Sequence, residues 1–180
     1  VELSKRTSLN TASLTIKPGM FFINDVVVRN NNGNSEIYAA VGTSLSRDVA
    51  DTALGSGTND GIYKSIDGIN WTKIELYRPV ETDANGNTTS PNRTAIPIDL
   101  EIDDSNNIWA STTRDIYGEG GGLIFRSNES VTSFTLIHQI EEARRTEIEF
   151  SADNKLFVLA QKYKTINNNQ YWLPVIYRGS

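Results

Sequence analysis

The sequence contains no cysteine and a single histidine, His138, among its 180 residues. Without thiols, neither a disulfide-stabilised scaffold nor a cysteine metal site can form. One histidine also excludes zinc sites built on several histidines and leaves few routes to a Ser-His-Asp triad. We therefore expect no metal site and no bound cofactor.

The chain also lacks an excess of positive charge and any long apolar run. Its 17 basic residues are outnumbered by 22 acidic ones, giving a net charge of −5, which argues against nucleic acid as a partner. No segment approaches 18 consecutive apolar residues, so we expect no membrane-spanning helix. The length is sufficient for one domain with a core of its own.

Helical periodicity is missing as well, because no window of 11 or more residues has apolar residues at the i, i+3, i+4, i+7 spacing of an amphipathic helix. Short runs rich in β-branched and aromatic residues, bounded by Asn, Asp, Gly or Ser, instead predict strands. These runs are Phe22–Val28, Ile37–Val41, Ile96–Ile102, Thr146–Phe150 and Lys155–Leu159. One two-turn helix is compatible with Arg47–Leu54, capped by Ser46 and stopped by Gly55. The sequence predicts an all-β fold.

The same order of strands and turns occurs three times along the chain. Each copy has a strand, a short polar turn, an aromatic-bearing strand, a longer loop and a strand of the form Ile-aromatic-basic. Those last strands are Ile62–Ser65, Ile124–Ser127 and Ile176–Ser180. A fourth strand follows the first two, at Trp71–Leu76 and Phe134–Ile137. The approximate units are 1–70, 71–133 and 134–180.

A unit of four antiparallel strands that recurs along the chain, here with third strands that begin at Ile62, Ile124 and Ile176, is typical of a β-propeller. We therefore predict that residues 1–180 form a single β-propeller segment of about three blades, with a sandwich as the alternative. Closed propellers have at least about four blades, so we expect a larger ring of about six to eight. Either the remaining blades of the same propeller or a second copy of the chain would complete it.

The turn after the third strand carries Ser65, Asp67, Gly68 and Trp71. This pattern resembles the Asp-box of BNR-repeat β-propellers, which include sialidases, sortilin-type domains and xyloglucanase-like glycosidases, although it is one residue shorter. The second unit keeps the spacing in Ser127, Glu129 and Phe134, but replaces the Asp with Glu. The resemblance implies a structural hairpin clip in a secreted or cell-surface bacterial protein, and no catalytic role for these residues.

In a propeller blade, the loops between the second and third strands share one face with the links between blades. The long loops Thr43–Asp60, Thr113–Gly121 and Lys162–Trp172 and the links Ser8–Met20 and Arg78–Arg93 all fall on that face. The polar and aromatic binding candidates there are Arg47, Asp48, Arg114, Asp115, Tyr117, Lys162, Tyr163 and Trp172. Cations and aromatics suit an anionic or sugar-like ligand. The alternative is that each arginine pairs with a neighbouring acid.

These observations favour a non-catalytic module that binds a protein or a carbohydrate through its long-loop face. The alternative is a fragment of an Asp-box glycoside hydrolase, sialidase- or xyloglucanase-like, with most catalytic residues outside this chain. A purely structural role in a surface assembly is a third possibility. No catalytic residue is assigned, and Arg93–Pro97 does not match the Arg-Ile-Pro motif of sialidases. Paired carboxylates in a central cleft would favour the hydrolase.

Overall fold

The structure is a computed structural model that describes residues 21–43, 60–80, 84–87, 93–115 and 118–179. Within these ranges the chain forms strands and turns without a helix, which confirms the all-β prediction. The strands are β1 Phe21–Asn31, β2 Asn34–Thr43, β3 Gly61–Ser65, β4 Thr72–Ile74, β5 Ile96–Ile102, β6 Ile108–Thr113, β7 Leu123–Ser127, β8 Phe134–Gln139, β9 Ala143–Phe150, β10 Leu156–Ile166 and β11 Asn169–Arg178. The short helix considered for Arg47–Leu54 lies outside the described residues. The described part of the chain contains no helix with the length and apolar character needed to cross a membrane.

The strands pair in antiparallel sheets of four and seven strands. In the four-stranded sheet, β1 to β4 pair in chain order, and we call this the first meander. In the larger sheet, β5 to β8 and then β9 to β11 again pair in chain order, forming the second and third meanders. A single backbone pair, Thr113 with Arg145, joins these two meanders through β6 and β9. The fold is therefore a series of three antiparallel meanders.

Two hairpins are closed by two-residue turns whose residues have positive φ. Asn32 and Gly33 connect β1 to β2 with φ of 53° and 87°. Asn167 and Asn168 connect β10 to β11 with φ of 51° and 64°. Asparagine and glycine tolerate this left-handed region better than other residues, and turns of this kind match the twist of the flanking strands. The asparagine tracts in the sequence thus set the register of both hairpins.

The hairpin of β10 and β11 corrects one expectation from the sequence. The segment Lys162–Trp172 was predicted as a long loop, but its residues continue both strands, with Tyr163 opposite Trp172. The last pair between β10 and β9 is Lys162 with Ala143, so the two strands project beyond β9. Side chains on both faces of this projection meet solvent, and the apolar–polar alternation that marks a half-buried strand is therefore missing there.

Successive meanders pack face to face, and alternate residues of one strand point to opposite faces. In β2, Tyr38 and Ala40 belong to the core between the first and second meanders. Ala39 and Val41 belong to a small cluster on the opposite face of the first meander, beside Trp71. The buried residues between the second and third meanders are Ile124, Ile140, Ala143, Ile148, Val158 and Ala160. The second meander thus contributes one face to each of its two described neighbours.

The first strands of the three meanders, β1, β5 and β9, lie side by side and are joined by the same type of contact. The Asp25 carboxylate in β1 accepts a hydrogen bond of 2.9 Å from the backbone N–H of Leu100 in β5. The Asp99 carboxylate in β5 accepts one of 2.6 Å from the N–H of Ile148 in β9. Because Asp25 and Asp99 occupy corresponding positions, one sequence feature links each meander to the next.

Candidate functional site

The projecting hairpin carries a cluster of aromatic and cationic side chains, which we call the Trp172 cluster: Arg114, Arg144, Tyr163 and Trp172. The rings of Tyr163 and Trp172 lie 5.0 Å apart between centroids. The guanidinium of Arg114 lies 5.1 Å from the centre of the Trp172 ring, and that of Arg144 lies 5.8 Å from it. The structure therefore brings together three residues that the sequence had suggested and adds Arg144.

Backbone contacts hold the two arginines beside the hairpin. Arg114 follows β6, and its backbone N–H donates to the carbonyl of Arg144 in β9 over 2.8 Å. The Nε of Arg114 donates to the carbonyl of Ala143 over 2.9 Å. Since the tight Asn167–Asn168 turn fixes which residues face each other in β10 and β11, Trp172 is placed over this point. The cluster is thus positioned by strands.

The Trp172 cluster is positively charged and open to solvent. Trp172 is 37% exposed, Arg144 is exposed, and Arg114 and Tyr163 are partly buried. Neither Arg114 nor Arg144 forms an ion pair with another described residue. Stacked guanidinium and aromatic groups offer a flat apolar face with cationic edges, which can contact a sugar ring and a carboxylate together.

Asp115 belongs to a separate ion-pair network. Its carboxylate accepts a 2.6 Å contact from Arg78, and both side chains are largely buried. Arg78 and Arg93 also contact Glu119, at 3.2 and 3.1 Å. These contacts connect two segments. Arg78 and Arg93 lie in the segment between the first and second meanders, and Asp115 and Glu119 lie in the loop that follows β6. Asp115 therefore holds the loop through its contacts with Arg78 and with the backbone N–H of Glu119.

The remaining candidates from the loop face are only partly described. Lys162 lies in the hairpin opposite Leu173 and is partly buried. Arg47, Asp48 and Tyr117 lie outside the described residues. Arg144 was not among the binding residues predicted from the sequence, because the other meanders have no equivalent residue. The adjacent basic pair at residues 144 and 145 is the signal in the sequence that could have indicated it.

The turn from Ser65 to Trp71 is closed by the side chains of Ser65 and Asp67. Asp67 accepts hydrogen bonds from the N–H groups of Ile69 at 2.8 Å and Asn70 at 2.7 Å. The Ser65 hydroxyl accepts one from Gly68 at 2.9 Å, and Gly68 has a φ of +71° that favours glycine. The hydrogen bonds from Asn70 and Ile69 hold the pKa of Asp67 well below its usual value. This carboxylate stays ionised as a turn clip.

The corresponding turn of the second meander uses a different residue for the clip. The Asn128 side chain accepts from the N–H groups of Thr132 at 2.9 Å and Ser133 at 3.3 Å. The sequence interpretation had placed Glu129 in this role, but Glu129 contributes its backbone carbonyl, which accepts from Arg29 at 2.7 Å. The Ser127 hydroxyl accepts from the N–H of Ile108, and Phe134 packs against the core of the first two meanders.

Acidic side chains on β5 and β9 form a second candidate site, which we call the acidic row: Asp99, Glu101, Glu147 and Glu149. Burial raises the pKa of Glu101 to about 7, with further increases from the charges of Glu149 and Asp99. Burial likewise raises the pKa of Asp99 to about 6, against the opposing hydrogen bond from Ile148. The row lines a 420 Å³ depression together with Phe157 and Ile176. The described residues contain no group of three or more acids or histidines placed to hold a metal ion.

The acidic row was missed in the sequence because no pair of acids stood out from ordinary turn residues. Its members alternate along two first strands, in the segments Ile98–Ile102 and Thr146–Phe150. Aligning the three repeats shows an acid at the position of Asp25, Asp99 and Glu147 in every copy. That alignment, applied to first strands instead of turns, was the available signal.

Comparison with known proteins leaves the family open. No protein-family model matches the chain, and no curated protein matches it significantly. Among solved structures, it is similar to a protein of unknown function from Dyadobacter fermentans DSM 18053, with 13% sequence identity and a TM-score of 0.48. That similarity covers 89% of this chain and 52% of the other, so the chain spans about half the length of that protein.

Proposed function

We propose that the chain is a section of a secreted or cell-surface β-propeller, with Asp-box-like turns, whose projecting hairpin binds an acidic carbohydrate without catalysis. The series of meanders joined through β1, β5 and β9 supports a propeller, since blades also adjoin through their first strands. The turn clip at Asp67 supports the Asp-box assignment. The ligand-binding role is carried by the Trp172 cluster.

The chemistry of the cluster favours an acidic sugar. The exposed indole of Trp172 can stack on the apolar face of a pyranose ring, while Arg114 and Arg144 can contact a carboxylate on it. An acidic protein segment would use the same cations, and it remains the alternative class of ligand. A single stacked aromatic with one or two charged contacts typically gives a weak, micromolar to millimolar interaction.

Isothermal titration calorimetry with oligogalacturonate tests this proposal by measuring the binding affinity. The neutral methyl ester of the same oligosaccharide is the control for charge. We expect Trp172→Ala to weaken binding at least about tenfold, equivalent to about 1.4 kcal/mol. Arg144→Gln should cause a smaller loss that disappears with the methyl ester. Tyr171→Ala is the matched control, because Tyr171 is exposed and points to the other face of the same strand. Equal binding by the wild type and Trp172→Ala would contradict the proposed site.

The acidic row supports a second candidate function, glycoside hydrolysis. A carboxyl group with a pKa near neutrality beside ionised carboxylates has the character of a general acid. Glu101 meets that description, with Glu149 and Asp99 as its charged neighbours. In this candidate the row supplies part of the catalytic centre, and further residues come from outside the chain.

Release of nitrophenol from aryl glycosides tests the second candidate. The hydrolase proposal predicts turnover that Glu101→Gln abolishes and that Glu119→Gln, on an exposed loop, leaves unchanged. Turnover that persists in Glu101→Gln would remove Glu101 from the catalytic role. Loss of carbohydrate binding in Trp172→Ala with normal turnover would separate the two sites.

A further inference from the structure

One repeat position carries a different kind of residue in the first meander than in the other two. It lies four residues after the acid that recurs in the first strands, and it holds Arg29, Asp103 and Ser151. The Asp103 carboxylate accepts the backbone N–H of Asn107 at 2.8 Å, and the Ser151 hydroxyl accepts that of Lys155 at 3.1 Å. Both side chains thereby close the turn between the first two strands of their own meander. A guanidinium has no acceptor atom, so Arg29 cannot close its turn in this way.

The Arg29 side chain is buried but uses only part of its hydrogen-bonding capacity. It is 6% exposed. Its Nη2 donates to the carbonyl of Glu129 over 2.7 Å, and its Nη1 contacts the Glu36 carboxylate at 3.4 Å. Its Nε has no acceptor among the described residues. Since a guanidinium has five N–H groups, this buried cation keeps donors that are available to a ligand.

The carboxylate nearest to Arg29 is already occupied by other groups. Glu36 accepts a 2.6 Å contact from the ammonium of Lys64 and a 2.7 Å hydrogen bond from the hydroxyl of Tyr38. Burial opposes ionisation of Glu36, but the hydrogen bonds from Lys64 and Tyr38 lower its pKa and keep it charged. Arg29 and Lys64 therefore carry two positive charges against the single negative charge of Glu36. A buried excess of charge is costly unless an ion of opposite sign compensates it.

Arg29 lies in the wall of a depression of 930 Å³ between turns of the first and second meanders. The depression is formed by the β1–β2, β5–β6 and β7–β8 turns, each of which has a described strand on both sides. Arg126 also lines it and is paired with Asp103 at 3.2 Å, while Glu129 is an exposed acid at its rim. Most of the remaining lining consists of amides and hydroxyls, among them Asn32, Ser105, Asn106, Asn128 and Ser130.

We propose that this depression binds an oxyanion, a phosphate or sulfate group carried by a small polar molecule. Guanidinium groups bind such anions through strong charge-assisted hydrogen bonds. The oxygens of a tetrahedral oxyanion point in several directions, which suits donors that come from three separate turns, whereas a carboxylate has only two oxygens. The volume of the depression is within the range of small-molecule sites. The site shares no residue with the Trp172 cluster, so each can be tested without the other.

An NMR titration of the chain with sodium phosphate and with sodium sulfate tests the proposal. Sodium chloride keeps the ionic strength constant, and sodium acetate is the carboxylate control. We expect saturable shifts of the backbone amides of residues 105–107 and 127–130 and of the Arg29 Nε–H, with a dissociation constant of about a millimolar. Acetate should bind more weakly than the tetrahedral anions, and the tighter of phosphate and sulfate identifies the group that the site prefers.

Two substitutions separate the charge of the site from general ion effects. Glu129→Gln should tighten binding by about two- to threefold, because it removes a negative charge from the rim. Glu141→Gln is the matched control, since Glu141 is an exposed acid of the β8–β9 turn outside the depression. Arg29→Gln should weaken binding at least about tenfold. Urea unfolding checks that this buried variant folds, and the comparison of Glu129→Gln with Glu141→Gln tests the site independently of it.

Three results would overturn the proposal. One is that sodium chloride alone, raised to the same ionic strength, produces the same shifts. Another is equal phosphate and sulfate affinity in Glu129→Gln, Glu141→Gln and the wild type. The last is a shift of the Trp172 indole without any shift of the Arg29 Nε–H, which would assign anion binding to the Trp172 cluster alone.

Discussion

The two interfaces between successive meanders are built from the same strand positions but close to different extents. Both contain an aspartate of one first strand that accepts an N–H of the next, Asp25 with Leu100 and Asp99 with Ile148. The first interface buries Phe125 and Leu100 almost completely, whereas the second leaves a 650 Å³ groove. In the first interface, Phe134 and Leu136 of β8 pack against the core.

The comparison shows that equivalent positions of the repeat differ in how far they are buried. Ile62, Ile124 and Ile176 lie on the third strands of their meanders, and each of these strands pairs with the second strand of the same meander. Ile62 and Ile124 are buried, while Ile176 is 72% exposed. Ile62 belongs to the core between the first and second meanders and Ile124 to the core between the second and third.

The largest expected effect comes from truncating one aromatic position in both interfaces. Phe125 is buried in the first interface, and its counterpart Tyr177 is only partly buried in the second. We expect Phe125→Ala to lower the free energy of unfolding by about 3–5 kcal/mol, because it removes a ring from a closed core. Tyr177→Ala should cost about 1–2 kcal/mol, since less area is buried. Urea unfolding measures both, and equal losses would mean that the second interface is also closed in solution.

A smaller effect is expected from the aspartate contacts between first strands. Asp25→Ala leaves the N–H of Leu100 without its acceptor, and we expect a loss of about 1–3 kcal/mol in the free energy of unfolding. Glu147 occupies the same repeat position in the third meander, but it pairs with Arg145 at the surface. Glu147→Ala should therefore change stability by less than about 0.5 kcal/mol. Similar losses in the two variants would show that the contact is not what joins the meanders.

The strands of this fold were largely predictable, and the reason is visible in particular residues. β5 has the predicted bounds, Ile96 and Ile102, because branched apolar residues at every second position between polar turns are typical of a strand. The projecting part of β10 and β11 was not predictable, since Lys164, Thr165 and Gln170 face solvent and leave no period in hydrophobicity. There the pattern of polar residues indicated a loop, and only the pairing across Asn167–Asn168 distinguishes a hairpin.

The candidate sites were less predictable, because they depend on which strands become neighbours. Arg114, Tyr163 and Trp172 were selected as loop residues of suitable chemistry, but nothing in the sequence placed Arg144 over the same ring. The acidic row depends on packing of β5 against β9, and its raised pKa values come from that packing. Residue type can be read locally, whereas proximity between meanders cannot.

The smallest expected effect is a pH dependence of the free energy of unfolding. It arises from side chains of β5 that face the third meander. Asp99 and Glu101 keep their protons to about pH 6 and 7 in the folded chain, whereas unfolded carboxyls titrate near about pH 4. The folded state binds more protons in this range, so the free energy of unfolding should fall as the pH rises from about 5 to 8. Groups with a lowered pKa act in the opposite direction. Asp67, and Glu36 in β2, which pairs with Lys64 at 2.6 Å, lose their contribution to stability as the pH falls below about 4.

Glu101→Gln measures the size of this contribution. We expect the substitution to flatten the decline between pH 5 and 8 and to stabilise the chain at pH 8 by on the order of 1 kcal/mol, because Glu101 is partly exposed. Glu129→Gln, at an exposed turn, should leave the profile unchanged. A profile that is flat in the wild type would contradict the burial of Asp99 and Glu101 between β5 and β9.

The most direct test of the repeated arrangement is an NMR measurement of couplings through hydrogen bonds between first strands. The account predicts one coupling from the Leu100 amide to the Asp25 carboxylate and a second from the Ile148 amide to the Asp99 carboxylate. Both would place β5 between β1 and β9 with the same contact on each side. Detection of neither coupling in the folded chain would contradict a series of equivalent meanders.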